Sequence, residues 1–180
     1  MAMGSIGMMT FGASTLHQLL SVAKDDANLI ISLQLAGAMA GTLIGGVIAD
    51  RTTRHDFMTA IVVTLGVVIL MFVPIFQMKA VYALLPFFVM YGVMYGIAGP
   101  MRDMVVRSIA PSGSAGKVFG FTYSGMDVGS AVATFLFGYI LSMGMAVWNF
   151  VFVAIFMMMG VSCVLFAKIA SRKSSDPVTA

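Results

Sequence analysis

Glutamate is missing from this sequence, and charge of either sign is scarce. Charged residues fill 9% of the 180 positions, where a soluble domain carries about 25%. So few charges cannot coat a globular surface, and a water-soluble monomer is excluded. The one cysteine, Cys163, has no partner in the chain and no Cys-x-x-Cys occurs, which excludes an internal disulfide and a zinc ribbon. Inside its apolar run, Cys163 is expected to be a small packed thiol. No Lys/Arg run reaches four residues and no aromatics interleave with a basic stripe, so nucleic acid is excluded as a partner. A phosphate loop needs G-x4-G-K-[ST], but Pro111 stands where the first Gly belongs and Val118 follows Lys117. An intramembrane aspartyl protease needs a second membrane carboxylate. A rhomboid-type serine site wants G-x-S-G, and Thr122-Tyr123-Ser124-Gly125 lacks the first Gly. Enzyme activity is therefore not expected, and neither is a cofactor. The 18 methionines include Met90-x3-Met94, two soft thioethers on one helix face. Met157-Met158-Met159, however, point all round their helix, as filler does.

What remains is apolar: 60% of the residues are hydrophobic and the mean hydropathy is +1.01. A bilayer core of about 30 Å takes about 20 helical residues. Charge-free windows of that length predict spans at about 1–22, 28–49, 57–77 and 80–100. The first is diluted by Ser14, Thr15, His17 and Gln18. A mixed stretch, 102–117, follows. From Val128 to Ala167 there is no charge for 40 residues, too long for one crossing. Ser142-Met143-Gly144 is the best turn, which gives spans at about 118–142 and 145–167, with Trp148 suited to an interfacial belt. Residues 171–180 read as a polar tail, disordered from about Lys168 onward. Lys24 is the first basic residue, so no basic n-region precedes the first apolar stretch and a signal peptide is not expected. Lipidation is not expected either.

Six spans put both termini on one side. Alternation then collects Arg51, Arg54, Arg102, Arg107, Lys117, Lys168, Arg172 and Lys173 on one face, and only Lys24 and Lys79 on the other. Basic loops stay in the cytoplasm, so both termini are expected there.

The chain also repeats itself. Gly37-x3-Gly41-x3-Gly45 in the second span recurs as Gly125-x3-Gly129-x3-Ala133 in the fifth, at an offset of 88 residues. The same offset carries the third span onto the sixth. Three spans per unit invert the second copy, as in many secondary transporters. Small residues at every fourth position are also a generic packing face, and the two explanations stand side by side.

The loop after the second span runs Gly46-Val47-Ile48-Ala49-Asp50-Arg51-Thr52-Thr53-Arg54-His55. It resembles the major facilitator superfamily signature G-x-x-x-D-R-x-G-R-R, matching at Gly46, Asp50, Arg51 and Arg54. Thr53 departs from the family's Gly, which suggests a looser turn, and His55 departs from its Arg or Lys. The resemblance covers nearly all of residues 1–170. It implies an all-α membrane protein whose six transmembrane helices form two inverted three-helix repeats, half of a twelve-helix transporter. The fourth span lacks the Arg, and the fifth the G-P-x-x-G-G run, seen in first halves; a short basic tail ends the chain. The chain therefore looks like a C-terminal half in a bacterial inner membrane. Its implied partners are a small solute, protons, the lipid bilayer, and either a missing N-terminal six-helix half or a second copy of itself. A non-transporting scaffold is the remaining alternative. The stretch from Arg102 to Asp127 looks similar to bacterial drug or metabolite efflux members, without naming a substrate.

Asp127 is the sharpest candidate. It lies nine residues into the fifth span, about 14 Å deep. A mid-membrane Asp costs about 2.5–3.5 kcal/mol on insertion scales, so it is expected either to exchange a proton during transport or to bond a neighbouring helix. Tyr123 and Ser124, one turn earlier, are candidates for the same cavity. His17 and Gln18 are candidates for solute contact or for a polar helix end at the interface; Gln34 and Asn149 read the same way. The resemblance makes Asp50, Arg51 and Arg54 a conformational latch, in which the carboxylate meets a helix N-terminus of the opposite half. Arg102, Asp103 and Arg107 read as topological.

Overall fold

The computed structural model describes residues 1–77, 80–111 and 113–175. The described residues form six helices: α1 (Ala2–Leu20), α2 (Lys24–Arg51), α3 (His55–Phe76), α4 (Val81–Ile109), α5 (Ala115–Ser142) and α6 (Ala146–Ser175). Among the described residues there is no strand. Helices α2 to α6 each contain a segment long and apolar enough to cross a membrane. Helix α1, of 19 residues, is not among them, because His17 and Gln18 lower its hydropathy.

Connections are short, and those after α1, α3, α4 and α5 each contain a left-handed residue: Ser21, Gln77, Gly113 and Gly144. Ser21 ends α1 at φ 57° and Gly144 turns the chain into α6 at φ 77°. Asp25 and Asp26 sit in the first turn of α2, and Asp56 in that of α3, where carboxylates complement the helix dipole. Helices α4 and α6 outrun the charge-free windows furthest. Helix α4 continues through Arg102, Asp103 and Arg107 and stops at Ala110, which has ψ 128°. Pro111 follows, and a residue before proline is pushed out of the helical region. Helix α6 continues through Lys168 to Ser175, so the tail expected to be disordered is helical in its first part; residues 176–180 lie outside the described residues.

Helix α2 packs on α4, α3 on α4, α6 on α1, α5 on α1, and α3 against α6. The α2–α4 contact is the closest because both partners bring glycines. A Cβ on Gly37 would stand 2.6 Å from the Val89 carbonyl oxygen, and one on Gly45 2.7 Å from the Ile97 Cα. A Cβ on Gly41 would strike the Val93 carbonyl oxygen. In return, Cβ atoms on Gly92 and Gly96 would strike the carbonyl oxygens of Gln34 and Ala38. Lipid is as apolar as leucine, so helices in a membrane gain by close backbone approach rather than by burying apolar surface. The α5 glycines differ. Gly129 lies against the Met3 side chain, and Gly125 faces open space.

The core runs through all six helices, from Leu16, Ile30 and Leu70 to Phe88, Phe137 and Phe150. Helix α5 joins it through Ala133 and Phe137, in its C-terminal half. The N-terminal half of α5 is mostly uncovered.

Candidate transport site

Polar side chains tie α1 to three neighbours. Asn149 Nδ2 on α6 donates to Thr15 Oγ1 at 2.8 Å. Both residues are buried. Ser5 Oγ donates to the Tyr95 hydroxyl on α4 at 2.9 Å. Gln18 Nε2 donates to the Leu141 carbonyl on α5 at 3.3 Å. Gln34 and Asn149 are therefore not polar ends at an interface: they are 4% and 0% exposed. Their long-range placement leaves no mark in a local sequence window.

A cavity of about 630 Å³ opens beside the α1–α2 turn, lined by Ala13, Ser14, His17, Gln18, Lys24, Asn28 and Leu141. His17 Nδ1 lies 2.8 Å from the Val22 carbonyl oxygen. A carbonyl only accepts, so Nδ1 carries the proton and Nε2 is left for the cavity. Its amino-acid lining is polar, with one ammonium from Lys24.

A second cavity of about 290 Å³ opens on a face of the bundle where Leu35 and Met39 are exposed. Helices α2 to α6 all line it, through residues that include Thr42, Val63, Arg102, Met126 and Met157. Arg102 is the residue that composition reasoning missed. Its place in a charged cluster reads as a boundary marker, whereas the extension of α4 carries it into the cavity wall. The guanidinium pairs with Asp103 Oδ1 at 3.0 Å. Asp103 Oδ2 accepts from the Tyr123 hydroxyl at 3.1 Å, and the Tyr123 ring lies 6.0 Å from the Arg102 guanidinium carbon. Tyr123 thus joins α5 to α4.

Asp127 and Ser124 sit near the middle of α5 on its uncovered side. Asp127 makes no hydrogen bond or ion pair with any described residue. Tyr123 turns to Asp103 while Asp127 and Ser124 face outward. His17 and Gln18 belong to the other cavity.

The α2–α3 loop spans Thr52 to Arg54. Asp50, Arg51 and Arg54 are all exposed, and Gly46 has open space around it. His55 Nε2 donates to the Ala49 carbonyl at 2.9 Å and closes the loop. No loop residue has a positive φ, so Thr53 fits where a glycine would.

Long apolar helices beside an open cavity, tied together by polar side chains and glycine contacts, define an all-α integral membrane protein. The family model of the Major Facilitator Superfamily matches residues 1–180. The chain belongs to that superfamily, whose members are transporters of small solutes. Comparison with curated proteins and with solved structures gives no match.

Proposed function

We propose that the chain is the C-terminal six-span half of a proton-coupled secondary transporter. A second six-helix bundle, from an N-terminal half or another copy, would complete it. Alternating access then comes from rocking the two bundles around a shared midplane cavity. The observation that carries this reading is Asp127, unpartnered and uncovered near the middle of α5. Facing lipid, an ionised Asp costs about 2.5–3.5 kcal/mol. Facing a water-filled cavity between two bundles, it keeps its hydration and is accessible to protons.

The helix pairing supports an inverted repeat. Exchanging α1 with α4, α2 with α5 and α3 with α6 maps the principal contacts onto one another. The exposed Asp50, Arg51 and Arg54 suit a loop latch that meets the other bundle. The basic residues favour cytoplasmic termini, and the resemblance of the stretch from Arg102 to Asp127 to efflux members favours efflux as the direction.

The test is Asp127→Asn in proteoliposomes holding the complete transporter. Uptake or release driven by a pH gradient should be lost, while solute exchange without a gradient persists. Unchanged pH-driven transport would remove the coupling role.

A further inference from the structure

We propose that the second cavity is a binding site for a small organic anion with an apolar body, and that Asp103 is the built-in competitor for its carboxylate. The inference deepens the transport reading by naming a solute class for the cavity, and it rests on that reading.

Three observations lead there. The first is the wall. Leu35, Met39, Val63, Met126 and Met157 surround the space, and thioether side chains adapt to irregular apolar shapes. The volume of about 290 Å³ lies at the small end of ligand pockets. The second is charge. Arg102 is the one charged side chain on the wall, and no carboxylate lines it. A cation would be repelled by the guanidinium, whose charge Asp103 offsets only from behind, whereas a carboxylate matches its fork.

The third is how the guanidinium is held. Nε and Nη2 both donate to a single oxygen, Asp103 Oδ1, at 3.2 and 3.0 Å. A guanidinium has five N–H groups, and the others have no partner among the described residues. The Arg102 side chain is 18% exposed, open to the cavity yet largely withdrawn from bulk water. Tyr95 lies on the same wall, its hydroxyl bonded to Ser5 Oγ at 2.9 Å. A cavity-bound carboxylate would share the guanidinium with Asp103, and the Tyr123 bond on Oδ2 would hold Asp103 back on α5. Were Arg102 only a marker of the membrane boundary, neither the unpaired N–H groups nor the Met-lined space beside them would bear on a ligand.

The test uses the full chain in lipid nanodiscs and calorimetric titration with three isosteric probes: phenylacetate, phenylacetamide and phenethylammonium. Phenylacetate should bind saturably and about tenfold or more tighter than the other two, as charge-assisted bonds outrank neutral ones. Arg102→Gln should weaken it by about tenfold or more, and Arg107→Gln, on an exposed turn of the same helix, should not. Asp103→Asn removes the competitor and should tighten phenylacetate binding by about threefold. That sign separates a ligand site from a structural ion pair, and it needs no Arg102 variant to fold. Equal binding of the three probes, no binding of phenylacetate, or unchanged or weakened binding in Asp103→Asn would overturn the inference. Binding without flux in the completed transporter would uphold the site and overturn the transport reading. Flux of other solutes without phenylacetate binding would overturn the anion site alone.

Discussion

Asn149 on α6 donates to Thr15 on α1 across 2.8 Å, in a place closed to both lipid and water. The bond helps set the register of the two helices, together with the close approach of Gly4 to the Val153 backbone. Asn149 Oδ1 has no partner among the described residues, so the donor side of the amide carries the interaction. Thr15→Val leaves the amide without any bond and should destabilise the bundle by about 1–3 kcal/mol. Asn149→Leu removes both groups and should cost less. Denaturant titration of the two variants and their double mutant measures the difference.

The glycine seam between α2 and α4 should be intolerant of side chains. Gly41→Leu drives a side chain into the Val93 backbone, an overpacking that costs about 1–3 kcal/mol or more. Gly125→Ala, in open space on α5, should stay within about 0.5 kcal/mol of the parent. Thermal unfolding in detergent separates them.

Tyr123→Phe removes an exposed bond to Asp103. Stability should change by less than about 1 kcal/mol, because the ring contact with Phe119 remains. The distance distribution between spin labels on the α4–α5 ends should broaden. Dipolar spectroscopy reads it directly, and an unchanged distribution would mean that the bond does not hold α5.

His55→Ala opens the α2–α3 loop by removing its bond to the Ala49 carbonyl. Amide exchange at residues 50–56 should rise several-fold while the helices stay protected. Thr53→Gly should leave loop exchange within about twofold of the parent, because no loop residue needs a positive φ.

Parts of this architecture were legible residue by residue. Gly144 marked a turn because only an unhindered residue sits easily at φ 77°. The Asp50-Arg51 loop marked the family through its spacing. Other residues misled for a physical reason. Gln34 and Asn149 look like interface polars in a linear window, since nothing local says which side of a helix meets protein. The cluster at 102–117 reads as a mixed stretch outside the spans by charge alone, yet α4 carries straight through Pro100 and runs on to Ile109.

By itself the sequence determined the environment and the family. Low charge and long apolar runs demand a membrane, and a membrane demands helices or closed barrels, since backbone groups have no water to bond. The tertiary structure decided which polar side chains lie inside. In lipid both faces of a helix are apolar, so hydrophobic periodicity, which orients helices in soluble proteins, falls silent. Only packing, glycine against carbonyl on α2 and α4 and Thr15 against Asn149, selected the inner faces and set Arg102 beside a cavity.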